Sequence, residues 1–301
     1  MRIVDAQLHE PSVWGDWEWA DQRLRWELML ELQLSQMNAV GVDSALLFAV
    51  DLGWARFAAA RHPGRFAVVP MFAAMPGFHV LDAGAPDIER IVEELSAEAG
   101  VVAVRIVRTV PKPDGGVVLA PAEAFDRLAA SCARAALPMF MSTVGDLATP
   151  GRLAARHAEL TVIVDHLGLP QPPSYRPDAT PFAQLPKLLA LAEHPNVVVK
   201  CSGAPTLSRE GYPFADLWPH LRQVIGAFGV ERVMWGSDFS RVLGRAGFHL
   251  RLPRGEAAYE GKHTYAEALH YVRDTDQLTP AEKTAILGET AHALLHWPAL
   301  L

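Results

Sequence analysis

Eight short apolar runs recur along the chain, separated by longer amphipathic stretches. The runs cover residues 3–9, 44–50, 66–72, 101–107, 138–142, 161–166, 196–201 and 232–237. They are rich in Val, Ile, Leu, Phe and Met and mostly lack polar alternation, as is typical of parallel strands buried on both faces. Helical patterns fill the intervals, for example at residues 21–38, 86–99, 121–136, 181–194 and 213–228. Eight strands with seven crossovers predict an α/β fold, a (β/α)8 TIM barrel.

The C-terminal part of the sequence predicts a helix that closes the barrel. Thr279 is placed as an N-cap, Pro280 follows at the first helical position, and Glu282 completes a capping box. The helix is expected to continue through residues 285–295. Because the chain shows no internal repeat and no low-complexity linker, we expect one domain over residues 1–301.

Charge and apolar run lengths exclude several classes of partner. The net charge is −7 and no cluster of Lys and Arg is present, so we expect no nucleic-acid binding. No apolar run approaches the ~20 residues that a bilayer span requires, and the chain begins directly with a strand-like segment. The two cysteines indicate a reducing compartment. We therefore expect a cytoplasmic protein that acts on a small molecule, with homo-oligomer formation left open.

Side chains that can carry chemistry lie at the ends of several runs. Asp238 follows the eighth run, His166 the sixth and His9 the first, and Arg105 lies in the fourth. The loops after the strands of a parallel barrel open on one face, so these side chains are expected to converge there. Because strand side chains alternate, Gln7 is expected on the same side of the first strand as His9. The sequence therefore predicts a site at one end of the barrel.

The same segments resemble the amidohydrolase superfamily. The first strand, VDAQLH at residues 4–9, is similar to the opening Asp-Ala-His-x-His of that superfamily. Later segments resemble its amidohydrolase-2 branch, most closely the group of sugar lactonases and 2-pyrone-4,6-dicarboxylate lactonase. They are VDHLG at 164–168, NVVVKCSG at 196–203 and MWGSD at 234–238, with similarity continuing at 212–217 and 286–291. The resemblance covers nearly the whole chain and implies a barrel hydrolase.

The chain departs from the metal site of this superfamily. Metal-dependent members typically use both histidines of the first strand, a histidine at the end of the fifth and the aspartate of the eighth. Here Gln7 replaces the first histidine, and the fifth run, LPMFMST at 137–143, contains none. An amide oxygen is a poor substitute for imidazole, thiolate or carboxylate. We therefore expect no tightly bound metal or other cofactor, with a weak divalent-metal site at His9, His166 and Asp238 left open.

The metal-independent 2-pyrone-4,6-dicarboxylate lactonase, which this chain resembles, implies a mechanism. Carried onto this sequence, Asp238 takes a proton from water, which then attacks the carbonyl of a lactone ring. His9 and His166 stabilise the oxyanion. Arg105 binds a substrate carboxylate, because a guanidinium matches two carboxylate oxygens. The expected substrate is therefore an anionic lactone.

Further residues are expected to bind substrate. Gln7 and Ser142 occupy positions where related enzymes carry ligand histidines, Trp14 lies in an aromatic loop after the first strand, and Tyr212 lies in the similar Tyr-Pro segment. Other residues are expected to lie outside the site. Arg108 and Arg241 are interpreted as solvated charges, Lys200 as a buried ion pair with Asp165, and Cys201 as core.

Two other functions remain open at this point. Some decarboxylases of the same branch carry Glu-x-His on the first strand and bind a divalent metal, and Gln7 is a neutral relative of that glutamate. Such an enzyme would act on aromatic or muconate-type acids. The third alternative is a barrel that has lost its chemistry and binds a ligand or partner.

Overall fold

The computed structural model describes residues 1–11, 21–74, 80–111, 117–143, 145–171, 180–239, 263–295 and 297. Its strands are β1 Val4–Leu8, β2 Ser44–Leu47, β3 Phe66–Val68, β4 Met71–Ala73, β5 Leu81–Asp82, β6 Val104–Val107, β7 Thr109–Pro111, β8 Val117–Leu119, β9 Met139–Ser142, β10 Val162–Val164, β11 Val197–Lys200 and β12 Val233–Met234. Its α-helices are α1 Gln22–Val40, α2 Leu52–Arg61, α3 Ile88–Ala97, α4 Asp126–Arg134, α5 Ala148–Arg156, α6 Leu185–Ala190, α7 Trp218–Phe228, α8 Tyr265–Arg273, α9 Pro280–Thr284 and α10 Thr290–Leu294.

The principal strands form the predicted barrel. One sheet runs β1-β2-β3, and the other runs β12-β11-β10-β9-β6-β4-β5, with parallel pairing in both. The predicted third strand is split into β3 and β4 by the segment at Pro70, which has no N–H to donate. A bridge between Val68 and Val101 joins the two sheets on that side. The (β/α)8 fold is confirmed.

The barrel closes along a seam between its first and last strands. Leu8 forms a parallel bridge with Phe239, and the N–H of Ala6 donates to the carbonyl of Trp235 at 3.2 Å. The N–H of Asp238 donates to the carbonyl of Gln7 at 2.9 Å. These backbone bonds place the end of β1 beside the residues that follow β12.

Two apolar clusters fill the fold. The smaller cluster takes buried side chains from successive strands and occupies the inside of the barrel, with Ala6, Leu46, Phe140, Ile163, Val198 and Met234 among them. The larger cluster packs between the strands and the surrounding helices. Burial on both faces explains why the strands read as continuous apolar runs.

The helices follow the sequence patterns closely at several ends. Asp21 caps α1 by accepting from the N–H of Leu24, and Thr279 and Glu282 form the predicted capping box before α9. The last predicted helix runs through α9, a π-helical turn at Ala285–Glu289, and α10. Helices α2, α5 and α8 were not among the helical segments named from the sequence. Among the described helices, none is long and apolar enough to cross a membrane.

Candidate active site

Three side chains from distant parts of the chain converge at the C-terminal ends of the strands. His9 follows β1, His166 follows β10 and Asp238 follows β12. The Nε2 of His9 lies 3.2 Å from Oδ1 of Asp238, and the Nδ1 of His166 lies 3.9 Å from Oδ2 of the same carboxylate. The side chain of Asp238 is fully buried, while those of His9 and His166 are 15% and 12% exposed. The structure therefore brings the three predicted catalytic residues together.

The end of β1 brings Gln7 to the same place. The pairing of β1 with β2 shifts register between Asp5 and Leu8, so strict alternation does not hold along this strand. Ala6 lies in the cluster inside the barrel, whereas Leu8 lies in the cluster between barrel and helices. Gln7 is fully buried, with its Nε2 at 3.3 Å from Nε2 of His9. Its Oε1 is buried without a hydrogen-bond partner among the described residues.

The contacts of His9 assign its protons. Nδ1 lies 2.8 Å from the carbonyl oxygen of Phe48, which can only accept, so Nδ1 carries a hydrogen. Nε2 then offers a lone pair in the neutral ring, and it faces a carboxylate oxygen of Asp238. A hydrogen bond between two acceptors requires one proton shared between them. His9 and Asp238 are therefore placed to exchange a proton.

The contacts of His166 assign the opposite ring nitrogen. Its backbone has φ 54°, a left-handed conformation that turns the chain directly after β10. Nε2 lies 3.4 Å from Nη2 of Arg105, a group that can only donate, so Nε2 presents its lone pair. The hydrogen is then on Nδ1, which lies 2.9 Å from Oγ of Ser202 and faces Asp238. The two histidines are therefore not equivalent, because His9 presents an acceptor and His166 a donor.

A buried ion network lies beneath the histidines. Asp165 accepts from Nε of Arg105 and contacts Nζ of Lys200, both at 2.7 Å. Nζ of Lys200 also donates to the carbonyl of Ala6 at 3.1 Å and lies 4.2 Å from the ring centroids of Phe48 and Phe140. Burial opposes ionisation of Asp165, but the two cations hold its pKa below the usual range, whereas burial lowers the pKa of Lys200. The predicted Lys200–Asp165 pair is present.

Arg105 differs from its predicted use. Arg105 is only 7% exposed, and Asp165 accepts from its Nε while its Nη2 faces His166. Its guanidinium carbon Cζ also lies over the ring of Phe48, 5.3 Å from the ring centroid. This arrangement holds His166 in place and leaves little of the guanidinium to bind a substrate carboxylate.

A second buried carboxylate, that of Asp5, ties the seam together. Its Oδ1 accepts from the backbone N–H groups of Gln7 and Ser237 at 3.0 and 2.8 Å. Its Oδ2 accepts from the hydroxyls of Ser237 and Tyr265. Burial raises the pKa of Asp5 to about 6, against the opposing effect of the hydrogen bonds from Ser237 and Gln7. Asp5 thus holds the strand that carries His9 next to the loop that carries Asp238.

The remaining predicted residues are distributed more widely. Ser142 is half-buried at the end of β9. Tyr212 is 46% exposed and lines a groove of about 540 Å³ with Trp218, Arg222 and His270, which includes none of the converging site residues. The structure therefore places Tyr212 in this groove and not beside the three converging residues, where we had predicted it. Trp14 and Arg241 lie outside the described residues.

The structure contradicts the prediction for Arg108. We expected a solvated charge, but it is 5% exposed and donates to Asp146, to Oγ1 of Thr149 at 2.8 Å and to the carbonyl of Ala120 at 2.7 Å. These three acceptors compensate the burial of its charge. Cys201 is buried as expected, and burial raises the pKa of its thiol to about 12.

Asp5, Ser202 and Tyr265 were not predicted as site residues. The position of Asp5 two residues before Gln7 was a signal, but the partners that give it a role come from the segment after β12 and from α8. Ser202 lies in the similar segment after the seventh run and was not assigned a role. Gly203, with φ 61°, leaves room there, because an added Cβ would lie 3.2 Å from Oδ2 of Asp238.

The donor set fits a tightly held metal poorly. Of the three converging residues, only His9 and Asp238 present lone pairs to a common point, since Nε2 of His166 faces the cationic Arg105 and its Nδ1 carries the hydrogen. Gln7 adds an amide where a further imidazole would be needed. Within the described ranges, no group of three His, Cys, Asp or Glu side chains is arranged to hold an ion.

Comparisons with known proteins identify relatives of this architecture. A family model described as Amidohydrolase matches residues 4–297. An L-fucono-1,5-lactonase from Burkholderia ambifaria is 38% identical over 112 residues, which cover 34% of this chain and 36% of that protein. The matched segment thus spans only about a third of that curated relative.

Solved structures agree over the whole chain. A zinc-bound amidohydrolase from Burkholderia multivorans has a TM-score of 0.68 at 20% identity, covering 99% of this chain and 100% of that one. A proposed 2-pyrone-4,6-dicarboxylic acid hydrolase from Pseudomonas putida has a TM-score of 0.65 at 19% identity, covering 99% of each chain. At these identities the likeness shows the barrel fold.

Proposed function

The chain belongs to the amidohydrolase family, and from this membership we propose that it is a hydrolase that opens a lactone ring with water activated by Asp238. The observation that carries the proposal is the convergence of His9, His166 and Asp238, of which the two histidines are partly exposed. The partial match to an L-fucono-1,5-lactonase supports a lactone over other acyl substrates.

The two histidines support distinct steps. Water attacks the acyl carbon of the lactone while Asp238 accepts its proton. His9 then accepts this proton from Asp238, or shares it with Asp238, across their 3.2 Å contact. The Nδ1–H of His166, which also contacts the hydroxyl of Ser202, is shared with the oxyanion of the tetrahedral intermediate in this proposal. When the ring C–O bond breaks, the leaving alkoxide takes the proton back and becomes a hydroxyl. The other product is a carboxylic acid, which releases its proton to solvent and becomes a carboxylate.

The substrate need not carry a carboxylate of its own. The expected carboxylate binding relied on Arg105, whose guanidinium is engaged with Asp165 and His166. We therefore propose a hydroxylated lactone, with the buried Oε1 of Gln7 accepting from a substrate hydroxyl. Satisfying a buried acceptor of this kind favours a substrate hydroxyl over an apolar ring.

The reaction is proposed to proceed without a tightly bound metal. The support is the donor set, in which Gln7 and the Arg105–His166 contact remove ligands that a metallohydrolase needs. A lactone carbonyl is more reactive than an amide, so electrostatic help from His166 and the protonated form of His9 is sufficient in this proposal.

The test is hydrolysis of a lactone panel by chelator-treated enzyme, followed by acid release. The panel includes sugar-derived lactones and 2-pyrone-4,6-dicarboxylate, and we expect turnover of a hydroxylated lactone. Asp238→Asn should lower kcat by at least about 100-fold, because it removes the proton acceptor. Asp126→Asn is the matched control, since Asp126 pairs with Arg152 on the surface.

Three outcomes would contradict the proposal. Full activity of Asp238→Asn would remove the proposed base. Carbon dioxide release from aromatic acids, restored by added metal, would favour the decarboxylase alternative. Absence of turnover together with tight lactone binding would favour a barrel that only binds its ligand.

A further inference from the structure

The contact between Arg105 and His166 bears on which ions can bind at the candidate site. We infer that the guanidinium of Arg105 prevents a divalent metal from binding between His9, His166 and Asp238. This inference rests on the proposed metal-free function and names the residue responsible. The competing explanation is ligand number, because Gln7 stands where related metal-dependent enzymes have a histidine.

Coordination through Nε2 of His166 is opposed by charge. A zinc–nitrogen bond of about 2.1 Å would place the ion within about 5.5 Å of Nη2 of Arg105, which is 3.4 Å from Nε2. At an effective dielectric constant of about 20, repulsion between these charges corresponds to a loss of affinity on the order of 10⁴-fold. Asp165, paired with the same guanidinium, offsets part of this loss.

Coordination through Nδ1 of His166 is opposed by the position of the ring hydrogen. A neutral histidine that binds metal through Nδ1 carries its hydrogen on Nε2. That hydrogen would point at an N–H of Arg105 across 3.4 Å, donor against donor. The charge-assisted hydrogen bond now made there would also be lost, a cost equivalent to roughly 10- to 100-fold in affinity. Either ring nitrogen is therefore blocked by the same side chain.

The positive charges already present point the same way. Lys200 and Arg105 both bring positive charge to the buried centre of the barrel, where they flank Asp165. A divalent ion bound beside Arg105 would add like charge in a low-dielectric interior, where repulsion is strong. Removing Arg105 lowers this repulsion while Lys200 still pairs with Asp165.

Zinc titration of four proteins separates the two explanations. Wild type, Gln7→His, Gln7→His/Arg105→Met and Gln7→His/Arg108→Met are stripped of metal and titrated with Zn²⁺ against a chromogenic chelator. We expect Gln7→His to bind zinc hardly better than wild type, and Gln7→His/Arg105→Met to bind roughly 100-fold tighter. Arg108 is the matched control, a buried arginine beyond the same strand that pairs with Asp146.

Several results would overturn the inference. They are tight zinc binding by the wild type, equal binding by Gln7→His and Gln7→His/Arg105→Met, or failure of the latter to bind although folded. Binding by the Arg108 control at the level of the Arg105 variant would also count against it. Lactone hydrolysis is not the readout, so a wild type that binds no zinc and hydrolyses no lactone refutes the proposed function alone.

A second measurement needs no substitution of Arg105. The ¹⁵N shifts of the His166 ring in the wild type report which nitrogen carries the hydrogen, with His166→Gln used for assignment. We expect Nδ1 protonated and Nε2 unprotonated at neutral pH. A ring protonated on Nε2 alone would show that Arg105 does not fix His166, and the inference would fail.

Discussion

Replacing Asp5 with asparagine tests the buried carboxylate that joins the barrel seam. Asp5 is fully buried, and the hydrogen-bond donors around its oxygens among the described residues are all neutral, namely two backbone N–H groups and the hydroxyls of Ser237 and Tyr265. The amide retains an acceptor for the N–H groups, and the two hydroxyls can turn to accept from its NH₂. The substitution therefore removes the charge while keeping the shape.

The expected effect on stability follows from the pKa. Burial raises the pKa of Asp5 from 3.8 to about 6, so the folded protein holds this proton more tightly than the unfolded chain. Its contribution to the free energy of unfolding therefore falls as pH rises from about 4 to about 6, and is constant above that range. The full cost of ionisation is about 3 kcal/mol at neutral pH. Between about pH 4.5 and about pH 7.5 the change is about 2 kcal/mol.

Urea unfolding of both proteins at these two pH values measures the effect. We expect the stability of Asp5→Asn relative to wild type to rise by about 2 kcal/mol from the lower to the higher pH, because only the wild type ionises there. Asp126→Asn is the control, since Arg152 lowers the pKa of Asp126 and moves its titration below this range. A difference between Asp5→Asn and wild type that is the same at both pH values would refute the reasoning.

Three further changes test other parts of the site. Lys200→Met should lower the free energy of unfolding, measured in urea, by about 3 kcal/mol or more, since it leaves Asp165 with one cation. The double variant Lys200→Met/Asp165→Asn should lose less stability than the sum of the two single variants, and additive losses would argue against coupling of the two residues. Arg108→Met should lower the unfolding midpoint without changing kcat on a lactone, and a slowed reaction would place Arg108 in the site after all. Ser202→Ala should lower kcat roughly tenfold with little change in melting temperature, because Nδ1 of His166 loses the nearer of its two contacts with Ser202, the hydroxyl, and keeps the one with the carbonyl oxygen; unchanged kcat would contradict this.

The barrel and the three converging side chains were predictable because both depend on chain pattern. Apolar runs buried on both faces give the strands, and the position of a residue at a strand end gives its location on the fold. His9, His166 and Asp238 needed no knowledge of side-chain direction to be grouped. The weak point of this reasoning is β1, where the register shift between Asp5 and Leu8 breaks the alternation that placed Gln7.

The directions of the arginines were not predictable from the sequence. A guanidinium ends several bonds from its backbone, so its partner depends on which acceptors the fold brings within reach. Arg105 meets Asp165 from another strand, and Arg108 meets Asp146 and Thr149 near α5. The role of Arg105 was implied by the resemblance to a lactonase, and Arg108 was interpreted as a solvated charge, whereas the structure buries it.

The surroundings of three aspartates decide which of them can act as the base. Asp165 is neutralised by Lys200 and Arg105, which lower its pKa and hold it as a permanent anion. Asp5 faces neutral donors that fill its lone pairs, so a proton it gains has no acceptor to pass to. Asp238 alone of the three lies against an imidazole lone pair, that of His9. In the proposed mechanism, a proton that Asp238 takes from water can therefore pass to Nε2 of His9 and back to the leaving group.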